Sequence, residues 1–575
     1  MFIRPIFIRK NGKRYAYWTL VKSHQTLRGS RQETVAYLGK LEEAERRTLQ
    51  AAAEGRKEEG KGTLLPEAEP PSEWIEVDAS RVRLENGKAF GGAWLGLEVM
   101  GRLGLVEFLK RRMPRGEEDV PWPMMALVLV LSRLCEPSSE LYIAEHLYAG
   151  TALEELLGVP AEKVNDDRLY RALDALRPHK EALEGFLKER MGALFQLDYD
   201  LLLYDVTSTY FEGQAQANPL AQRGHSRDHR GDCKQVCIGL VVSRDGMPLG
   251  YEVFAGNTAD RVTLRPIVET MERRYGKAHR IWVVDRGMVD EKNLEVLRAE
   301  GRKYIVGTPK GLLKRFEAEL LKEDWRTVRE GLEVKLCPSP EGQETFILCR
   351  SQQRREKEKG MHARFEQRLE ADLVRIQQGC RKQHLKATTV AGRLARALTR
   401  NSRAAGLFQT EIVEREGRTQ LVWSKQEAWR EWVRASEGCY LLRSNVAEWS
   451  AEDLWRAYIQ LTEAEAAFRI EKSDLGIRPI WHQTGERVQA HILVCFLAYV
   501  VWKTLDRMCR SAGLGDEPRR VLNELSAIQA VDVVLPARNG IEIRKRCVTK
   551  PTDHQAILLQ RLGLRLPSRL KTTDS

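Results

Sequence analysis

The sequence predicts an α/β protein built on a mixed sheet, preceded by a small β unit and a helical region. Three observations predict it. From residue 198 onward, apolar runs of strand length alternate with amphipathic helices. The first three runs follow one another without a helix, whereas the later ones are separated by helices. Two of the runs lead straight into an aspartate, Asp205 and Asp285. The order strand, strand, strand, helix, strand, helix, strand is the ribonuclease-H-like arrangement, an antiparallel meander extended by parallel strands with crossover helices.

Residues 1–53 read as a small β unit. Phe2–Ile8, Tyr15–Val21 and Thr34–Leu38 are short alternating runs, with turn signals at Asn11-Gly12 and Arg28-Gly29-Ser30. Residues 54–90 read as a linker, since Glu54–Trp74 is rich in Glu, Lys, Gly and Pro. Residues 91–195 are helical, with candidates at Trp94–Leu103, Pro123–Leu134, Ser138–Leu147, Asp166–Leu176 and Lys180–Phe195. Such a bundle suits a DNA-binding domain and suits a packing domain equally.

The first part of the core spans 196–310. Leu201–Val206 is a strand, and Gln235–Ser243 and Pro248–Gly256 form a hairpin around Arg244-Asp245-Gly246. Val262–Tyr275 is an amphipathic helix, followed by strand Arg280–Val284, helix Glu291–Glu300 and strand Tyr304–Gly307. Residues 311–436 interrupt the core as a β-rich insertion. It alternates at Leu332–Leu336 and Thr345–Cys349 and then turns helical and charged over Arg354–Arg403. The core resumes over 437–510 with strand Cys439–Arg443, a long helix Ala451–Lys472 and a buried apolar helix Val488–Leu505. Residues 511–575 form a basic C-terminal region.

Composition narrows the function classes. With 575 residues and 42% hydrophobic content, the chain can bury sizeable cores. That excludes a disordered chain and a mini-protein. No uninterrupted apolar stretch reaches about 18 residues, which argues against a membrane protein. Met124–Leu131 and Ile492–Trp502 read as buried helices. The start MFIRPIFIRKNGKR lacks an apolar segment with a cleavage site, and the cysteines are scattered, so a reducing cytoplasm is expected. Cys233 and Cys237 are the only close pair, too little for a zinc site.

The net charge of +12 is a mild excess for this length. Its distribution is uneven. Arg354–Arg403 holds 14 Lys or Arg against 5 Asp or Glu, a local charge of +9. A run of this kind suits a solvated helical face, and it also suits a surface that tracks phosphates. Concentration favours the second reading.

The carboxylates carry the chemistry. An acid ending a strand can cap the next turn. Two on neighbouring strands mean more, because adjacent carboxylates repel unless a hard cation such as Mg²⁺ or Mn²⁺ neutralises them. A third acid comes from AEDLWRAYIQLTEAEAAFRIEKSDLG. On one continuous helix, Leu454, Tyr458, Leu461, Glu465, Phe468, Lys472 and Leu475 form a single stripe. Glu465 is thus expected on the packed face, with Glu463 and Glu471 facing solvent. A Glu465–Arg469 pair is the structural alternative. His482 and His491, after this helix, read as structural histidines.

The segments YDVTSTYFEG, GHSRDHRGDCKQVCIGLVVSRDGMPLGYEVFAGNTAD, WVVDRG and YIQLTEAEAAFRIEK resemble bacterial insertion-sequence DDE transposases. The nearest group carries a Tyr–Arg–Glu–Lys signature around its catalytic Glu. The likeness runs over roughly residues 195–510. It implies that Asp205, Asp285 and Glu465 form the catalytic triad and hold two Mg²⁺ or Mn²⁺ ions. It also implies that Tyr458 and Lys472 are the signature Tyr and Lys. The signature Arg falls on Leu461, so its role moves to Arg469 or Arg478 or is absent. Arg286, beside Asp285, is a candidate phosphate contact, and Arg227 and Lys234, in the basic loop RGHSRDHRGDCK, are candidates to grip the element end, with a mobile basic loop as the alternative.

The expected activity is cleavage of the ends of an insertion sequence and joining of the freed 3′-hydroxyl to target DNA. The partners are element ends and target DNA, handled by a homodimer. Two other readings share these residues: a metal-dependent nuclease that joins nothing, and a catalytically relic DNA-binding regulator. A glycosidase with paired carboxylates gives no reason for the +9 segment.

Overall fold

The computed structural model describes residues 2–39 except 11–12 and 27–28, and residues 76–570 except 115, 277–279, 340–341, 343, 416, 539 and 569. The Asn11-Gly12 turn, Arg28 and the stretch Glu54–Trp74 lie outside the described residues. The N-terminal strands β1 (Phe2–Lys10), β2 (Lys13–Thr26) and β3 (Gly29–Gly39) form an antiparallel meander. The expected linker does not reach residue 90. Strand β4 (Arg83–Ala89) already belongs to a sheet built with the C-terminal region.

Helices α1 (Gly91–Leu103), α2 (Leu105–Arg112), α3 (Trp122–Cys135), α4 (Asp166–Leu176) and α5 (Lys180–Phe195) follow. The expected Ser138–Leu147 helix is present as one helical segment, Glu140–Tyr142 and Tyr148–Gly150 joined by a π-helical turn Ile143–Leu147.

The core meander is β5 (Leu201–Tyr210), β6 (Gln235–Ser243) and β7 (Pro248–Ala255), closed at Gly246 with φ +75°. Next come α6 (Asp260–Tyr275), β8 (Ile281–Val284), α7 (Glu291–Arg298) and β9 (Lys303–Gly307). Strands β10 (Arg326–Arg329), β11 (Leu332–Pro338) and β12 (Thr345–Ser351) lie before the basic helix, and β15 (Cys439–Ser444) lies after it.

These strands form one nine-stranded sheet in the order β10-β11-β12-β15-β9-β8-β5-β6-β7. The pairs β5–β8 and β8–β9 are parallel, and the others are antiparallel. The five strands from β7 to β9 have the ribonuclease-H-like order.

The insertion differs from the expectation of a β-rich domain. Its strands β10–β12 extend the core sheet through β15, because Thr345–Arg350 pairs with Cys439–Ser444. What stands apart is largely helical: α8 (Gln352–Lys382), α9 (Ala387–Arg400), one hairpin of β13 (Phe408–Arg415) and β14 (Arg418–Lys425), and α10 (Glu427–Ser436). It has its own core, with Leu369, Leu373, Ile376 and Cys380 on one side of α8 packed with Val390, Leu394 and Leu421.

The expected long helix Ala451–Lys472 is two helices, α11 (Ala451–Ile459) and α12 (Thr462–Ser473). After them come α13 (Gly485–Ser511), α14 (Pro518–Ser526), β16 (Gln529–Pro536), β17 (Glu542–Val548) and α15 (Asp553–Leu562). Strand β16 lies between β17 and β4.

Strand alternation sorts the core into two layers. Leu202 and Tyr204 face α6 and α7, together with Leu264, Ile267, Leu294 and Leu297. Leu201 and Leu203 face the opposite layer, where α13 packs with α1, α3, α4 and α12 in one continuous core. Helix α13 is the one helix among the described residues long and apolar enough to cross a membrane, and it is almost wholly buried.

Candidate active site

Strand β5 is buried along its length except at Asp205 and Tyr210. Asp205 lies inside the strand, paired with Leu240 of β6, and not at its end as expected. Parallel pairing of β5 with β8 sets Leu203 beside Val283 and Tyr204 beside Val284. The next residues in this register are Asp205 and Asp285. Leu203 and Val283 both belong to the core under α12 and α13, and Asp285 is still extended at φ −74°, ψ 158°. Period-two alternation therefore sends both carboxylates to the α12 side.

Helix α11 packs over β8, β9, β11 and β12, and α12 packs over β5 and β6. The break between them is a tight turn: Leu461 N donates to Tyr458 O at 3.0 Å, and Ala464 N donates to Leu461 O at 3.0 Å. Such i+3 bonds overwind the helix and rotate α12 relative to a continuous stripe. As a result Leu461, Ala464, Ala467, Phe468 and Glu471 are buried, while Glu465 is exposed. This corrects two expectations. Glu465 is not on the packed face, and Glu471, expected in solvent, is only 3% exposed. Glu463 is partly exposed and reaches Lys503 at 3.8 Å.

Glu465 nonetheless stands near the aspartates. The Asp205 pKa is raised to about 6, first by burial and then by the neighbouring Asp285 and Glu465 charges. A bond from Val206 N at 2.8 Å and the charge of Arg227 act in the opposite direction. Mutual repulsion among three carboxylates is what a bound hard cation relieves. The all-oxygen donor set fits Mg²⁺ or Mn²⁺.

Tyr458 donates to Asp285 Oδ1 at 3.4 Å. Burial and the Asp285 charge hold its hydroxyl well above the ordinary range, so it remains a donor. Gly307 makes room for it, since a Cβ there would lie 2.4 Å from the Tyr458 oxygen.

Lys472 is not free to meet a phosphate. Its Nζ donates to Asp228 Oδ1 at 2.9 Å, and Arg478 binds the same oxygen. Burial lowers the Lys472 pKa, and the Asp228 bond counters this. Asp228 Oδ2 is buried without a partner. Arg227 pairs with Asp260 at 2.5 Å, and its backbone N–H donates to Ser208 Oγ. Asp228 and Arg227 thus fasten the basic loop to α12, α6 and β5.

Arg286 is exposed and lines a polar cleft of about 900 Å³ shared with Lys310, Arg354, Lys357 and Arg403. This cleft joins the end of β8 to the +9 helix. Arg469 is exposed on α12, and Lys234 is partly buried where the loop enters β6. Neither forms an ion pair with the three carboxylates among the described residues.

Nothing in the sequence singles out Asp228, because an acid in a loop of cations looks like local charge balance. Glu471 escaped for the same reason as Glu465, the unseen helix break. Cys233 contacts Arg230 and Asp232, Cys237 is buried, and all ten cysteines are free.

A sheet of this order with acids converging at its centre defines a class of ribonuclease-H-like carboxylate proteins. The transposase DDE domain matches residues 196–501, and the N-terminal domain of the IS1634 family transposases matches residues 3–69. The chain belongs to the insertion-sequence DDE transposases. No curated protein matches it. Among solved structures, a piggyBac transposase synaptic complex with hairpin DNA is similar at 8% identity and a TM-score of 0.36, over 79% of this chain and 82% of that one.

Proposed function

We propose that this transposase cleaves the ends of its insertion sequence and joins the freed 3′-hydroxyl to target DNA, with Asp205, Asp285 and Glu465 as its metal-holding triad. The observation that carries the reading is the β5–β8 register, which sets Asp205 and Asp285 side by side beneath α12. Two bound Mg²⁺ or Mn²⁺ ions supply activation of the attacking oxygen and stabilisation of the departing one. The residues provide the rest. Asp205, Asp285 and Glu465 would hold the ions through their carboxylate oxygens. Tyr458 fixes the Asp285 carboxylate through its hydroxyl. Arg286 and the cleft cations hold phosphates beside the triad. Lys472 and Arg478 keep the basic loop against the catalytic helix through Asp228. Joining two ends calls for two protomers, hence a homodimer on DNA, acting in the cytoplasm.

The test is cleavage of a duplex carrying the element end in Mg²⁺ or Mn²⁺. Asp205→Ala, Asp285→Ala and Glu465→Ala should each remove cutting and 3′-joining while end binding persists. Normal cutting by Glu465→Ala, with loss in Glu463→Ala, would assign the third acid to Glu463. Cutting without any joined product would leave a nuclease.

A further inference from the structure

We propose that Glu140, His482 and His491 form a second metal site, of a different chemistry from the carboxylate triad, taking a borderline divalent ion such as Zn²⁺. The three come from separate parts of the fold. Glu140 opens the short turn after α3, His482 lies between α12 and α13, and His491 lies on α13. All three are buried, at 5%, 8% and 5% exposure, and each offers a donor atom within 4.8 Å of the other two.

Their hydrogen bonding suits ligands. His491 Nε2 lies 3.2 Å from the Ile477 carbonyl, so it carries the proton and donates. That leaves Nδ1 with its lone pair, and Nδ1 is buried with no partner. An imidazole held by a backbone carbonyl through one nitrogen, with the other nitrogen bare, is the usual arrangement of a metal-binding histidine.

His482 Nε2 already lies 3.3 Å from Glu140 Oε1. That is close to the ~3.4 Å edge of a tetrahedron with bonds of about 2.1 Å. The neighbouring cation Arg133 is occupied by the Gly476 carbonyl at 3.0 Å. Two imidazoles and one carboxylate select Zn²⁺ over Mg²⁺, and water fills the fourth position. The ion would tie the helical layer to the segment that carries Arg478.

The experiment is a Co²⁺ titration of the full chain carrying Asp205→Asn and Asp285→Asn, so that the triad cannot report. We expect one equivalent with visible ligand-field absorption, displaced by Zn²⁺ and unaffected by excess Mg²⁺. His491→Gln should abolish the absorption, and Glu140→Gln should weaken Co²⁺ binding by ~10-fold or more, with circular dichroism confirming that both variants are folded. Absence of the absorption in folded protein, or its survival in both variants, would overturn the site.

Discussion

At the scale of single residues, Asp228 shows how a charge can act through its neighbours. It is 3% exposed at the side chain and binds both Lys472 and Arg478. Removing one member of a buried ion pair leaves uncompensated charge and costs about 3–5 kcal/mol. Asp228→Ala should therefore destabilise the fold by about 3 kcal/mol in urea unfolding, more than Lys472→Ala does. Glu471 makes the opposite case. Burial raises its pKa from 4.5 to about 8, so it is mostly neutral at pH 7. The native state then binds a proton that the unfolded state has released, and stability falls as pH rises from about 4.5 to about 8. Glu471→Gln should remove that loss, worth on the order of 5 kcal/mol at alkaline pH. Its Tm advantage should be small near pH 5 and grow through pH 8; an advantage constant across this range would mean that Glu471 is charged throughout.

At the scale of elements, what the sequence made legible depended on whether local pattern decided the structure. The hairpin at Gly246, α6, β8, α7 and β9 were readable to within a few residues, because alternation, Asp-Gly and amphipathic spacing are local signals. The α11–α12 break was not readable. No Gly or Pro marks Gln460-Leu461, and the tight turn serves the need of one helical segment to follow a twisted sheet. Glu465 lies on an exposed face of α12 and not on the expected packed one, and its charge still reaches Asp205. Strands β10–β12 were legible as strands but not as part of the core sheet, since their partner β15 lies about 90 residues further on. The +9 segment is helical as expected. Glu358, Glu366, Glu370 and Asp372 on α8 are taken up in ion pairs, while Arg355, Lys357, Lys359, Arg364 and Arg368 stay exposed. Each lost phosphate contact lowers the salt slope of duplex binding by ~0.9. Neutralising Arg286, Lys357 and Arg403 together should flatten it by about 2–3, measured by anisotropy across a salt series. An unchanged slope would make α8 a solvated face only.

At the scale of the whole molecule, the helical region 91–195 and the insertion differ in a way their sequences do not announce. Helices α1, α3 and α4 share one core with α12, α13 and α14; Leu95, Val128 and Leu173 are buried with Leu493, Phe496 and Leu522. The second layer of the catalytic sheet is therefore supplied from both sides of it in sequence. By contrast α8, α9 and the β13–β14 hairpin close around a separate core of their own. A segment folds alone only when it can bury its own apolar surface. Residues 91–195 expressed alone should thus stay without cooperative unfolding, whereas residues 352–436 should give a helical, cooperatively melting fragment by circular dichroism. In the full chain, Leu493→Ala should cost about 2–5 kcal/mol and weaken α3 and the catalytic sheet together. Hydrogen exchange would show this as faster exchange in Val128–Leu131 and in β5, with the α8–α9 unit unaffected. If the α8–α9 unit loosened to the same degree, the two cores would be one cooperative body.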